Sequence, residues 1–325
     1  MKIIIIRNVS PYNLYGGIRK HCDQLFSLFK DNFDIEILKI ENIEGNNIPI
    51  INKRYFKRKA LIKYLETTNY DIIHLHGFAS LEVIQVLQYA KKRNKIIVYS
   101  PHFHPFEFLQ RPILGKAYFS VCLKPLLSVA SAIFTISNTD TLFFNRYHNN
   151  VIKIPHQFDG KITKYLGPKK SNMLLFVGRN EINKGLDHLY SIPENKYEIH
   201  CVTKGKLKRQ DFIQYQNISN NELGTLYEQA SLVLVPSRYE AFSYVVLEAF
   251  SHRTPVLMSN NVQISDYLIG YSGYNIFNYK DYEEFNEKID KTIGMHVDTE
   301  HILDQFKLER IKKIYENAYK NVLKK

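Results

Sequence analysis

Long apolar runs are missing from this chain of 325 residues: nowhere do the roughly 18 uninterrupted apolar residues of a membrane helix occur. Any contact with a bilayer is therefore expected to be peripheral. Cysteine is scarce, and Cys22, Cys122 and Cys201 stand too far apart for a metal-ligand spacing or an obvious disulfide framework, which fits a reducing, cytoplasmic setting. Acidic residues are in deficit, with 44 Lys and Arg against 32 Asp and Glu and a formal net charge of +12. A surface of that sign attracts anionic membranes, nucleic acid or polyphosphate ligands without choosing among them. Local signatures are missing too: no GxGxxG loop, no His-x-x-x-His pair and no Asp-x-Asp run. The sequence predicts chemistry without a metal ion or other cofactor.

What is present is a recurrence of short apolar runs with helical segments between them, the mark of a parallel sheet with crossover helices. Strands are expected at 2–6, 35–40, 72–75, 96–99, 133–136 and 151–154. The opening Met1 to Ile6 reads as a first buried strand rather than a signal sequence. The pattern restarts near Met173, with strands expected at 173–177, 198–202, 212–215, 232–235 and 256–258. Pro155 to Ser171, with two prolines, two glycines and four lysines, reads as a linker. Two domains follow, 1–160 and 171–300. A lysine-rich tail carries Ile311, Ile314, Tyr315 and Tyr319 at helical spacing.

Glu240 and Glu248 are eight residues apart in a segment that reads as strand, turn and helix, the helix entered near Phe242. At about 1.5 Å rise per residue the carboxylates lie on the order of 10 Å apart, suited to the two ends of an extended ligand. Ala241, Phe242, Ser243 and Tyr244 lie between them, where the amides of a helix N-terminus favour phosphate. Two solvated acids on an ordinary turn would show the same spacing. Arg179 and Lys184 flank the loop that leaves the strand ending at Gly178, beyond a strand's carboxyl end where ligands of open sheets bind. Gly16 and Gly17 sit between the first strand and first helix and let backbone approach a ligand. His102 and His104 follow another strand and point to opposite sides if extended. His74, His76 and Gly77 end a third strand. Lys53 to Lys59 and Lys204 to Arg209 are basic stretches, readable as anion-binding faces or as solvated lysines.

Taken in order, the Gly16-Gly17 loop, His76-Gly77, the His102 turn, Ile136-Ser137, Ile154-Pro155-His156, Arg179 with Lys184-Gly185, Leu226-Tyr227, Ala230-Ser231 and the Glu240 to Glu248 motif resemble family 4 glycosyltransferases over nearly the whole chain. The resemblance implies the GT-B fold, α/β, with two Rossmann-like domains facing each other across a deep cleft. It implies an acceptor-side first domain completed by a C-terminal helix at about 303–325, and a second domain holding a nucleotide-sugar donor. In that family the first Glu contacts sugar hydroxyls and the second the ribose, roles the resemblance assigns to Glu240 and Glu248. It likewise assigns Arg179 and Lys184 to the donor diphosphate, Gly16 and Gly17 to the glycine-rich loop facing donor and acceptor, and His102 to the reacting sugar. Departures exist: Ser243 follows Phe242 where the family commonly has glycine, and Arg253-Thr254 precedes Pro255-Val256 where glycine is usual. Both bear on sugar identity.

The expectation is a retaining, metal-independent glycosyltransferase, with a UDP- or GDP-sugar as donor and a glycan or lipid-linked acceptor, cytoplasmic or peripheral at an anionic membrane. A nucleotide-sugar epimerase of the same fold, a catalytically silent sugar-nucleotide binder and a nucleic-acid binder are the alternatives. A nucleic-acid role ranks last, because the sharp motifs are better explained by a donor site.

Overall fold

Ile3, Ile4, Ile5 and Ile6 are all fully buried, yet they feed two different cores. Successive side chains of a strand leave on opposite faces. Ile3 and Ile5 pack with Cys22, Leu25 and Phe29, while Ile4 and Ile6 pack with Leu61, Leu65 and Val83. A strand covered on both faces reads as an uninterrupted apolar run, which is why this segment is legible.

In the computed structural model, residues 1–7, 17–39, 50–78, 80–103, 112–165 and 167–324 are described. The chain divides into unit 1, Met1–Gln157 with Leu308–Lys325, and unit 2, Phe158–Lys307. Unit 1 holds β1 (Lys2–Arg7), β2 (Asp34–Lys39), β3 (Ile72–His76), β4 (Ile97–Ser100), β5 (Ala132–Thr135) and β6 (Val151–Lys153). They form one six-stranded sheet in the order β2-β1-β3-β4-β5-β6, with every pairing parallel. Helices Gly17–Phe29, Ile50–Thr67 and Leu81–Arg93 alternate with its first four strands.

Unit 2 repeats the plan with β7 (Lys170–Val177), β8 (Glu198–Val202), β9 (Ile213–Tyr215), β10 (Ala230–Val235), β11 (Val256–Ser259) and β12 (Tyr274–Phe277). Their order is β12-β11-β10-β7-β8-β9, again all parallel. The strand β12 is not anticipated by the sequence pattern. It is an edge strand whose Tyr274, Asn275 and Ile276 are only half-buried, so no continuous apolar run marks it.

The stretch read as a linker is anchored rather than loose. Ile154, His156, Gln157 and Phe158 are buried, the Phe158 amide donates to the Phe306 carbonyl at 2.9 Å, and the Thr163 amide to that of Ser251 at 2.8 Å. The last helix runs Leu308–Leu323, starting later than the 303 expected because a separate helix, Thr299–Asp304, precedes it and belongs to unit 2. Its buried stripe Ile311, Tyr315, Ala318, Tyr319 and Val322 follows helical spacing and joins the core of β1 and helix Gly17–Phe29. Among the described residues no helix is long and apolar enough to cross a membrane.

Candidate functional site

The site in unit 2 begins where β7 and β10 end side by side. After β7 the chain makes a short turn, Ile182–Lys184, and reaches Gly185 with φ +70°. A Cβ there would stand 1.8 Å from the Pro236 carbonyl oxygen, so only glycine lets this loop lie against the one leaving β10. The Arg238 amide then donates to the Asn183 carbonyl at 2.8 Å, and the Arg238 guanidinium to Asp187 at 3.0 Å. Two loops distant in sequence become one wall.

That wall brings Lys184 to Glu240, with 3.2 Å between Nζ and Oε1. Both side chains are mostly covered, 20% and 17% exposed, so their charges are less screened than on an open surface. Ser237 donates to the other Glu240 oxygen at 3.0 Å. The Glu240 backbone is pinned on both sides by β11's following loop: its amide donates to the Asn261 carbonyl at 3.0 Å and its carbonyl accepts from the Gln263 amide at 2.9 Å. The sequence reading did not single out Asn261 to Gln263, because no side-chain chemistry marks a backbone clamp. Arg179 pairs with Glu181 at 2.7 Å, with both residues about half exposed.

Helix Tyr244–Ser251 opens directly after Glu240 to Ser243. Ser243 occupies the position before the helix, fully buried, but its Oγ makes no cap hydrogen bond and has no partner among the described residues. A helix start without a side-chain cap keeps its partial positive charge for another acceptor. Phe242 is buried, its ring 5.4 Å from that of Tyr244. Ala241 lies in the turn between Glu240 and Phe242. Along the helix, Glu248 accepts from the Tyr227 hydroxyl at 3.0 Å. Burial, and then the adjacent Glu248, push the Tyr227 phenol well above its ordinary pKa, so it stays a donor. Tyr227 also stacks on His252, ring centroids 5.3 Å apart.

The basic loop after β8 joins the wall through Asn180, which donates to the Lys206 carbonyl at 3.1 Å. Gln214 braces it by donating to the Thr203 and Gly205 carbonyls at 3.0 and 2.6 Å. The other basic stretch lies on helix Ile50–Thr67, where side chains 51–58 fall outside the described residues.

In unit 1, Gly16 and the loop before it lie outside the described residues, as does His104; Gly17 starts the first helix. His102 is half-buried with φ +48°, a left-handed conformation that costs a non-glycine residue roughly 1–3 kcal/mol and clusters at functional sites. Its Nε2 lies 2.8 Å from Nδ1 of the fully buried His76. Burial pushes the His102 imidazole down to about 4 and holds His76 well below the ordinary value, so the pair is neutral at pH 7. His74 bonds Tyr319 at 2.7 Å and Ser100 at 2.8 Å and is fixed in the core.

Two units, each a parallel sheet with crossover helices, make up the GT-B fold. Residues 158–310, which span unit 2, match the family model "Glycosyl transferases group 1". The chain is 25% identical to an uncharacterized 41.2 kDa protein in the cps region of Klebsiella pneumoniae, covering 70% of each. It is 24% identical to an uncharacterized glycosyltransferase of Methanocaldococcus jannaschii over 80% of each. Among solved structures it resembles the apo form of the lipopolysaccharide outer core galactosyltransferase WaaB, TM-score 0.75, 15% identity and 99% of each chain covered. It also resembles Anabaena HepE in complex with UDP-glucose, TM-score 0.68, 14% identity, covering 98% of this chain and 99% of that one.

Proposed function

We propose that the protein transfers a sugar, with retention and without a metal ion, from a UDP- or GDP-sugar held by unit 2 to a glycan or lipid-linked acceptor on unit 1. The observation that carries this reading is the Lys184–Glu240 pair at the uncapped start of helix Tyr244–Ser251, with Glu248 held by Tyr227 further along it. A nucleotide sugar matches that series: sugar hydroxyls at Glu240, diphosphate at Lys184, Arg179 and the helix amides, ribose hydroxyls at Glu248. HepE, of the same fold, is seen with UDP-glucose.

As the bond from the anomeric carbon to phosphate breaks, negative charge grows on the leaving diphosphate. Fixed cations and helix amides stabilise that charge more in the transition state than before it. The acceptor oxygen forms the new bond and its proton passes to the leaving phosphate, so no protein nucleophile is required. We assign His102 to the reacting sugar as a positioning hydrogen-bond partner. Exposed Ile113, Leu114 and Val121 beside Lys116 favour an acceptor presented at an anionic lipid surface.

The test is calorimetric titration of the metal-free protein with UDP-, GDP-, ADP- and TDP-sugars, repeated with Glu248→Ala. One donor should bind, more weakly in the variant. Equal binding by both proteins would remove the ribose assignment, and no donor binding by folded protein would favour a silent role.

A further inference from the structure

Unit 1 gathers five imidazoles that no local spacing in the sequence brings together. His21 comes from helix Gly17–Phe29, His74 and His76 from β3, His102 from the turn after β4 and His156 from the segment after β6. Ring centroids of His76 and His102 are 5.1 Å apart, those of His21 and His102 5.3 Å, and those of His21 and His76 5.7 Å. His156 stacks on His21 at 4.0 Å. His74 is committed to Tyr319 and Ser100 through both of its nitrogens.

The other three are arranged differently. His21, His76 and His102 each place one ring nitrogen so that the three lie within 4.8 Å of one another. His21 and His76 are 1% and 0% exposed, and His21 Nδ1 and His76 Nε2 have no hydrogen-bond partner among the described residues. Buried polar nitrogens are normally satisfied, and the orphan His21 Nδ1 beside the His76–His102 contact calls for a partner shared by the three rings. Each neutral imidazole carries one N–H and one lone pair, so the three rings can turn three lone pairs on one electron-pair acceptor. Burial holds all three rings in the neutral form that ligates metal.

We propose that His21, His76 and His102 form a transition-metal site that takes Zn(II) or Co(II) through three neutral imidazoles. Zinc to imidazole distances of about 2.0–2.1 Å set tetrahedral nitrogens about 3.3 Å apart. The His76 and His102 nitrogens, now 2.8 Å apart, would open slightly to admit the ion, the proton between them moving to the other nitrogen of its own ring. Each ring then ligates through one nitrogen and keeps its proton on the other, so binding releases none. The Tyr315 hydroxyl, 3.2 Å from His21 Nε2, can accept that nitrogen's proton and leave Nδ1 as the ligating atom. Three protein ligands leave a fourth position to water or an anion. This inference stands on unit 1 alone and is independent of the proposed transfer. Where both hold, bound metal captures His102 and inhibits.

The experiment is titration of the full-length, metal-stripped protein with Co(II), read by visible d–d absorption and followed by Zn(II) competition. One Co(II) per chain with the intense bands of a four- or five-coordinate nitrogen site, erased by Zn(II), is the expected result. His102→Gln, on a half-buried turn, should weaken Co(II) binding tenfold or more. His76→Gln should do the same, with circular dichroism to confirm folding, and His296→Ala, an exposed histidine of unit 2, should change nothing. Absence of a saturable band in the wild type overturns the site, as do weak octahedral bands alone or a band unchanged in His102→Gln.

Discussion

Lys184 and Arg179 carry the same charge but do not stand in the same surroundings. Lys184 is mostly covered and paired to Glu240, whereas Arg179 and Glu181 form an exposed pair, worth about 0–1 kcal/mol to the fold. Lys184→Ala should therefore lower kcat/KM by roughly 10²–10³, as removing an oxyanion donor does, in steady-state assays once the donor is known. Arg179→Ala should leave Tm unchanged while weakening donor binding; unaltered donor kinetics would take Arg179 out of the site. A second residue-scale prediction concerns His188. Its Nε2 donates to the Tyr279 carbonyl at 2.7 Å and the side chain is buried, so the charged imidazolium is poorly solvated there. Burial lowers its pKa below the ordinary 6.5, against the pull of Asp187. The unfolded chain then binds more protons, so this group's stabilisation is complete above about pH 6.5 and is lost as pH falls, by up to about 1.4 kcal/mol per pH unit. Urea unfolding followed from pH 7.5 to 5 should show a shallower acid loss in His188→Gln. Glu240, Arg179 and Lys184 stand out in the sequence as charged residues on loops that leave strands, and Glu248 by its spacing on the helix that follows. The His76–His102 contact does not, since it joins two strands whose neighbourhood only the sheet order decides.

Elements were legible where burial is two-sided and obscure where it is not. β1 and β10 are continuous apolar runs, and the structure places them in their sheets within two residues of expectation. β12 was missed because an edge strand need not be apolar throughout. Caps also mark element starts: Ser219 and Glu222 form a reciprocal capping box at helix Asn220–Gln229, with the Glu222 amide donating to Ser219 Oγ at 3.2 Å and the Ser219 amide to the Glu222 carboxylate at 2.7 Å. Ser219→Ala should cost about 1 kcal/mol in chemical denaturation without touching donor affinity. Gly185→Ala should be more damaging, because it meets both the left-handed penalty of about 1–2 kcal/mol and the Pro236 carbonyl. A fall in Tm together with loss of donor binding would show that the two loops separate. An unchanged Tm would mean the loops are not in contact.

At the scale of the molecule, the final helix decides which residues can fold together. Tyr315 and Tyr319 fill the core beneath β1 and β3, and Tyr319 bonds His74, so removing 308–325 should expose the Ile5 and Phe29 face. Hydrogen exchange on such a truncation should rise sharply across 2–39 and 72–100 and stay unchanged in 170–300. Uniform change across both units would argue against separate cores. The sequence showed this helix as a periodic stripe, but not where it docks, because periodicity fixes a face and says nothing of the face it meets.

A helix at the chain's end that completes the unit at its beginning makes unit 2 an insertion within unit 1. During synthesis the first strands emerge early and wait. Unit 2, contiguous from Phe158 to Lys307, is whole before Leu308 leaves the ribosome, so the half made first is the half finished last. The buried histidines of unit 1 therefore close only once Leu308–Leu323 has emerged, and a nascent chain stalled before Leu308 carries a finished unit 2 and an incomplete unit 1.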